Sequence, residues 1–219
     1  MLKRVLTGLA IGAAVICAIV FVPVQAIWPA VAALCVLAFA EYTVLWRKKL
    51  APSGLSPLSA AMLLFGYAAI GCGLMSLPWI AAEHGNLMML YTVAVVKFSD
   101  VGGFAFGLSS AKLMKGGNHK MCPSISPGKS WEGLAGSLLF SSGVSIAFMG
   151  ITHFSLSKSI ALGVVAALVG TAGDLVESRF KRWVGVKDSS ALTATNGLGG
   201  LLDMFDSLIF APAALSCFY

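Results

Sequence analysis

The sequence has little charge for its length. Only 11% of its 219 residues are charged, whereas 58% are hydrophobic, and the mean hydropathy is +0.89. A soluble domain carries about 25% charged residues. The chain therefore lacks the polar surface that a soluble fold needs, and we expect an integral membrane protein whose residues 1–219 form a single membrane-embedded domain.

Paired cysteines and clustered histidines are also missing. The five cysteines show no paired spacing, and four of them lie in or beside apolar runs, where cysteine packs as a small hydrophobic residue. The three histidines are scattered along the chain. These absences argue against a disulfide framework and against a zinc site.

The positive charge that is present is concentrated in short clusters. Thirteen of the fifteen Lys and Arg residues fall in four groups: Lys3 and Arg4; Arg47, Lys48 and Lys49; Lys112, Lys115, Lys120 and Lys129; and Arg179, Lys181, Arg182 and Lys187. A nucleic-acid-binding protein presents such charge on a solvated face. Here apolar runs separate the groups, so we interpret them as topology signals and expect no nucleic-acid partner.

The apolar runs predict an all-α fold. A spanning helix needs about 20 mostly apolar residues. On that criterion the chain is a polytopic membrane helix bundle of about seven spans, near Val5–Val22, Ala26–Trp46, Leu58–Ala81, Leu87–Leu108, Leu134–Phe154, Ile160–Val176 and Leu201–Phe218. We expect the first span to be an uncleaved anchor, because its apolar run is longer than that of a typical signal peptide.

The positive-inside rule orients this bundle. If the N-terminus is cytoplasmic, seven spans place all four basic clusters on the cytoplasmic side and leave the outer loops almost without charge. The same topology puts the end of the sequence outside. We expect an integral protein of an inner (plasma) membrane whose polar chemistry is gathered at the cytoplasmic side of the bundle.

Seven carboxylates stand out because this topology places all of them in the cytoplasmic half. They are Asp100, Glu132, Asp174, Glu177, Asp188, Asp203 and Asp206. A carboxylate inside a span is costly and marks a functional site by default. A purely structural interpretation stays open for three of these acids. Asp100 pairs with Lys97 one turn earlier, and Asp203 and Asp206 are solvated residues at the start of a helix. Glu41 and Glu83, near span ends, are interpreted as interfacial residues.

Helical spacing groups the acids with basic and polar residues. One helical face carries Asp174, Glu177, Ser178 and Lys181, because their positions follow the helical spacing i, i+3, i+4 and i+7. Asp203 and Asp206 share a second face. Clustered carboxylates repel each other unless a cation lies between them, and hard oxygen ligands suit magnesium, which usually accompanies a phosphate substrate.

Two glycine-containing segments lie near these acids. In the segment from Ser126 to Gly133, Gly128 and Gly133 permit close backbone approach and Lys129 offers a point charge for phosphate. A second segment runs from Asn196 to Gly200. Each motif alone is weak, and basic residues at a helix end are more often membrane anchors than ligands.

These residues together resemble a known family, the phosphatidate cytidylyltransferases (CDP-diacylglycerol synthases). The family signature is similar to Asp174-Leu-Val-Glu-Ser-Arg-Phe-Lys-Arg182, then Lys187-Asp188, then Gly199, Gly200, Asp203 and Asp206. An upstream motif matches Ser126 to Gly133, and a membrane Asp-x-Gly segment matches Asp100 onward. The chain departs from the family at Leu198 and Met204, has two extra residues after Asp188, and is short by a helix or two between Arg47 and Leu87.

The resemblance implies an activity and a set of partners. The family transfers a cytidylyl group from CTP to phosphatidic acid in the bilayer, forming CDP-diacylglycerol and pyrophosphate. It implies that Asp174, Asp203 and Asp206 bind Mg²⁺, with a second cation as an option, and that Asp174, Ser178, Lys181, Lys187 and Asp188 are catalytic. It also implies substrate contacts from Lys129, Ser126, Arg182, Gly199, Gly200 and Asp100. Gaps near Gly102, Gly103 and Gly107 are expected to admit the lipid, and a homodimer is an option.

Two other functions stay open. The departures at Leu198 and Met204 leave room for a CTP-dependent polyprenol or phytol kinase, or for a cytidylyltransferase acting on another lipid phosphate. An ion-coupled transporter is more distant, since it predicts charges near mid-bilayer.

Overall fold

The fold is a helix bundle with one pair of short strands. The computed structural model describes residues 2–50, 56–186, 189 and 200–219, with side chains from residue 12 onward except that of residue 50. The elements of this part are α1 (Leu2–Phe21), α2 (Val24–Leu50), α3 (Pro57–His84), α4 (Asn86–Leu113), β1 (Lys120–Cys122), β2 (Ser126–Ser130), α5 (Trp131–Ala147), α6 (Met149–Thr152), α7 (Leu156–Val184), α8 (Leu201–Phe205), a 3-10 helix (Ser207–Ile209) and α9 (Ala211–Ser216).

Local sequence signals set the ends of the long helices. Ser56 caps α3, since its side chain accepts a hydrogen bond from the backbone N–H of Ser59. The side chain of Ser155 caps α7 in the same way. Gly185 ends α7 in the left-handed conformation, with φ of 84°, which glycine adopts without steric cost.

Four helices are long and apolar enough to cross a membrane. They cover Val24–Lys49, Pro57–His84, Asn86–Leu113 and Leu156–Val184. Several long apolar helices agree with the expected integral membrane protein. The predicted count of seven is not confirmed, because further apolar stretches, such as Gly12–Phe21 and Ser207–Ser216, are shorter.

The seventh predicted span is not one continuous helix. The chain from Leu201 onward forms α8, the 3-10 helix and α9 in succession. At the end of α8, Asp206 Oδ1 accepts a hydrogen bond of 2.6 Å from the backbone N–H of Ser207. Pro212 then lies in the first turn of α9, where its missing N–H does no harm. Hydropathy alone does not report these breaks, so the prediction of a single span was wrong.

The strand pair corrects the purely helical expectation. Strands β1 and β2 are antiparallel, with Lys120 opposite Ser130 and Cys122 opposite Ser126. Two short strands are marginal by themselves and depend on packing against other elements. Here β2 contacts α4, α5 and α7. The motif from Ser126 to Gly133, which carries no alternation of apolar residues, is thus a strand that leads into α5.

Glycines bring α4 and α5 into close contact. A methyl group on Gly102 would overlap the carbonyl oxygen of Gly136, and one on Gly136 would overlap that of Gly102. A methyl group on Gly133 would lie only 3.0 Å from the carbonyl oxygen of Gly103. The expectation that these glycines open a gap for lipid was therefore wrong at Gly102, since small residues here let two backbones meet.

The two ends of the bundle differ in chemistry. At one end the ammonium of Lys49 lies 5.1 Å from the ring centroid of Trp183, so the basic ends of α2 and α7 are adjacent. At the other end the rings of His84 and Tyr219 lie 6.0 Å apart. Basic clusters of α2 and α7 therefore share one end, in agreement with the predicted grouping.

Candidate active site

The carboxylate face predicted on α7 points into the bundle. The ammonium of Lys181 lies 2.8 Å from Glu177 Oε2, one turn earlier, and 2.5 Å from Asp203 Oδ1 of α8. All three side chains are largely buried, with exposed fractions of 9–14%. Gly173 makes this approach possible, because a side chain there would overlap the ring of Phe210. The two predicted acidic faces do meet, through a lysine.

Asp203 organises the start of α8. Its Oδ2 accepts hydrogen bonds of 2.9 Å from the backbone N–H groups of Ser189 and Gly200. Its Oδ1 is taken by Lys181. Both carboxylate oxygens of Asp203 are thus satisfied by the protein, and the predicted ligand Gly200 lies directly beside it.

Lys129 of strand β2 forms the second ion pair of the site. Its ammonium contacts Oδ2 of Asp174. The pair borders a polar cavity of about 300 Å³ between the strand pair, α4, α5 and α7. Four predicted residues line this cavity: Asp100, Ser126, Lys129 and Asp174. The sequence analysis therefore identified residues that lie far apart in sequence and close together in space.

Asp100 connects α4 to the chain after α8. Its Oδ2 accepts hydrogen bonds of 3.3 Å from Lys97 Nζ and 2.8 Å from Ser207 Oγ. Lys97 also donates to Ser207 Oγ at 3.0 Å and to the backbone oxygen of Met204 at 3.1 Å. The alternative that Asp100 pairs with Lys97 is thus observed, and Asp100 also borders the polar cavity.

Asp206 completes the acidic group, which consists of Asp100, Asp174, Glu177, Asp203 and Asp206. Its carboxylate lies within electrostatic reach of Asp174, Glu177, Asp100 and Lys97. It caps the 3-10 helix through Ser207, and its backbone oxygen lies against Gly173. Asp206 is therefore a partly buried member of the cluster rather than a solvated helix-start acid.

The site contains more carboxylate oxygens than its own hydrogen bonds satisfy. Asp174 Oδ1 and Glu177 Oε1 are buried and have no hydrogen-bond partner. Such orphaned anionic oxygens fit a hard divalent cation such as magnesium. Within the described ranges no group of three His, Cys, Asp or Glu side chains is close enough to hold a metal. Both oxygens of Asp203 are engaged by Lys181 and by backbone N–H groups.

Other predicted residues lie at the edge of the site or outside the described ranges. Ser178 is half-buried on α7. Arg182 is exposed, and its Nε donates to the backbone oxygen of Ile125 at 3.4 Å, so it reaches towards the strand pair. Three residues of the proposed site lie outside the residues that the structure describes: Lys187, Asp188 and Gly199.

Glu132, at the start of α5, lies on the outside of the strand pair. His119 donates to it from its backbone N–H at 3.1 Å, and His119 Nδ1 lies 2.7 Å from Glu132 Oε1. This hydrogen bond to the His119 side chain lowers the pKa of Glu132 to about 2. Glu132 thus fastens the strand pair to α5 and does not belong to the acidic group.

The sequence analysis missed two residues that hold the site together. Lys97 was considered only as a partner of Asp100, yet it also bonds the backbone oxygen of Met204 in α8 and Ser207 Oγ just after it. Glu41 was interpreted as interfacial, but it is fully buried and accepts a hydrogen bond from the backbone of Leu202. A charged residue inside an apolar run was the signal in both cases, as it was for Asp100.

Comparison with known proteins gives a family match over most of the chain. The profile of the family described as Cytidylyltransferase family matches residues 51–219. This range includes the described members of the acidic group and both lysines that pair with them.

The chain is also similar to curated bacterial proteins named Phosphatidate cytidylyltransferase. Identity is 39% to the protein of Staphylococcus aureus (strain COL), 37% to that of Staphylococcus haemolyticus and 35% to that of Staphylococcus epidermidis. Each alignment covers 178 residues, which is 80% of this chain and 63% of the relative. The chain therefore spans somewhat less than two thirds of the length of these relatives.

Proposed function

The chain belongs to the cytidylyltransferase family, and on that premise we propose that it transfers a cytidylyl group from CTP to phosphatidic acid. The products are CDP-diacylglycerol and pyrophosphate. The observation that carries the proposal is the pairing of Lys129 with Asp174 and of Lys181 with Asp203 around one acidic group. Alternating cations and carboxylates of this kind suit a reaction between two phosphate compounds.

The reaction needs positioning and charge neutralisation more than covalent help from the protein. An oxygen of the lipid phosphate forms a bond to the α phosphorus of CTP, and the bond to the leaving pyrophosphate breaks. The attacking phosphate is already an anion near pH 7, so no general base is required. Electrons and protons balance without any further reactant.

Lys129 and Lys181 are the cations that we assign to phosphate binding. Each is now held by a carboxylate, so it is oriented before a substrate arrives. Charge-assisted bonds from an ammonium to phosphate are strong. Ser126 lines the same polar cavity as Lys129, which supports its assignment to the substrate. The proposed active site also includes residues that are assigned on the resemblance alone: Ser178, Arg182, Lys187, Asp188 and Gly199.

Magnesium is the cofactor that we propose for this site. The residues that would hold it are Asp174, Asp203 and Asp206, and the support is the buried oxygen of Asp174 that has no partner. A bound magnesium would neutralise phosphate charge. Asp203 would need to exchange its bond with Lys181 to take part.

The membrane setting follows from the substrates. Phosphatidic acid keeps its acyl chains in the bilayer, whereas CTP arrives from water. We propose an inner-membrane protein whose basic end, which includes Lys49, faces the cytoplasm. The location of Lys181 towards that end of α7 supports access by CTP. A homodimer stays a prediction that cross-linking in native membranes would test.

One assay tests the proposal. Purified protein in detergent receives phosphatidic acid, CTP labelled in the α phosphate and Mg²⁺, and the lipid products are separated. We expect labelled CDP-lipid and unlabelled pyrophosphate. A parallel reaction that receives a lipid alcohol in place of phosphatidic acid tests the kinase alternative, which predicts a phospholipid and CDP. Absence of labelled CDP-lipid in the first reaction would overturn the assignment.

A further inference from the structure

A second cavity lies on the other side of α7 from the polar one. It measures about 540 Å³, within the range of roughly 300–1,000 Å³ that is typical of ligand pockets. Its walls are formed by α2, α3, α7 and the chain after α8, and they are almost entirely apolar. The hydroxyl of Tyr42, which contributes to one wall, is bonded to the backbone oxygen of Met62.

This apolar cavity opens at the side of the bundle. Met62, Phe65 and Val176 line it and are exposed, with fractions of 41%, 60% and 48%. All three belong to candidate membrane spans. The opening therefore faces the hydrocarbon of the bilayer. An acyl chain can enter the cavity from there without crossing water.

The inner end of the cavity reaches the acidic group. Glu177 and Leu202 line it there. Glu177 is paired with Lys181, and Leu202 directly precedes Asp203. A hydrocarbon chain in the cavity would thus hold its head group beside the cations that bind phosphate.

One cation borders the cavity itself. Arg179 lines it and is exposed, and within the described ranges it forms no ion pair. A guanidinium next to an apolar cavity is complementary to an anionic lipid and not to a neutral hydrocarbon. The combination selects a lipid that carries phosphate.

Resting on the proposed function, we infer that this cavity is the binding site for an acyl chain of the phosphatidic acid that reacts. Its selectivity must come from shape, because a chain that leaves the bilayer gains no hydrophobic free energy in an equally apolar cavity. Narrowing the cavity should therefore penalise long chains more than short ones.

Val176→Phe tests this inference, with Val101→Phe as a matched control. Val101 is exposed to 52%, lies on α4 and lines neither described cavity. The measured quantity is kcat/KM for dilauroyl over that for distearoyl phosphatidic acid. We expect the ratio to rise about fivefold or more in Val176→Phe, as overpacking would cause, and to stay at the wild-type value in Val101→Phe.

An equal ratio in wild type and Val176→Phe would overturn the inference. If neither lipid gives CDP-lipid with wild-type protein, the proposed function fails instead. A second measurement then still tests the cavity: photo-crosslinking of wild-type protein with phosphatidic acid that carries a diazirine in its acyl chain.

The crosslinking experiment is read by mapping the labelled residues. We expect label on Met62 or Phe65, and unlabelled phosphatidic acid should compete better than phosphatidylcholine. Label elsewhere would overturn the inference. Equal competition by phosphatidylcholine would overturn it as well, because the cavity would then hold any surrounding lipid.

Discussion

Glu41 of α2 accepts a hydrogen bond of 3.1 Å on its Oε2 from the backbone N–H of Leu202, a residue 161 positions later. Glu41 is fully buried. The bond satisfies an N–H at the start of α8, which would otherwise lack a partner. It therefore fixes the segment from Gly200 to Asp203 against the first half of the bundle.

We predict that Glu41→Leu lowers both thermal stability and turnover. Removing the acceptor leaves a buried N–H unpaired, which costs about 1–3 kcal/mol, and frees Asp203 to move. Glu41→Gln keeps an oxygen at the same place and should restore most of the loss. Unfolding in detergent and CDP-lipid formation are the measurements. Glu83→Leu, at an exposed position, is the control, and equal effects of the two leucine variants would contradict the prediction.

The sequence predicted the site better than it predicted the path of the chain through it. Helical spacing placed Glu177 and Lys181 on one face, and the ion pair between them confirms that arrangement. Spacing cannot show which side chains meet between elements. The contacts of Lys129 with Asp174 and of Glu41 with Leu202 depend on tertiary packing.

The same limit explains the errors in the fold. Hydropathy sums over a window, so it does not detect that the chain from Leu201 onward divides into α8, a 3-10 helix and α9. Glycine composition likewise does not say whether two helices meet or part. At Gly102 and Gly136 they meet, because each glycine faces the backbone of the other.

We predict that Asp203→Asn and Asp206→Asn each abolish turnover while the protein stays folded and inserted. Asparagine keeps the shape of the side chain and loses the negative charge that a magnesium ligand needs. Asp203→Asn should also weaken the hold on Lys181. Turnover and unfolding temperature are measured on matched amounts of membrane-extracted protein. Turnover at the wild-type level in either variant would refute the metal assignment.

We predict opposite stability effects from two alanine substitutions in α5. Gly136→Ala places a methyl group against the backbone of Gly102 and should destabilise the protein by about 1–3 kcal/mol, as overpacking does. A side chain at Gly143 meets nothing within 4 Å. Gly143→Ala should therefore stabilise, by up to about 1 kcal/mol from helix propensity. Thermal unfolding in one detergent compares them, and effects of the same sign would contradict the close packing of α4 and α5.

The orientation of the bundle can be tested at its two ends. Lys48 lies in the last turn of α2 and Glu83 in the last turn of α3, and both are exposed. In a background without native cysteines, we expect Glu83→Cys to react with an impermeant thiol reagent in intact cells. Lys48→Cys should react only after the membrane is opened. The reverse pattern would place the active site outside, and reaction at both positions in intact cells would contradict a membrane-spanning α3 between them.

Lys181→Ala should weaken the use of CTP far more than Arg47→Ala does. Both residues are basic and lie in the last turns of α7 and α2, so the positive-inside rule treats them alike. Only Lys181 is buried between two carboxylates, whereas Arg47 is exposed. Loss of a charge-assisted phosphate contact costs about 1.5–3 kcal/mol, which is about tenfold or more in kcat/KM for CTP.

The comparison must separate binding from folding, because removing Lys181 also leaves Glu177 and Asp203 without their cation. That loss can cost about 3–5 kcal/mol of stability. Lys129→Ala is therefore measured in parallel, since Lys129 is paired with a single carboxylate and lines the polar cavity. CTP titrations on equal amounts of folded, inserted protein should show reduced kcat/KM for both lysine variants and a wild-type value for Arg47→Ala. If Arg47→Ala falls as far as the lysine variants do, the basic residues act only as a general surface charge, and the nucleotide site proposed around Lys129 and Lys181 is wrong.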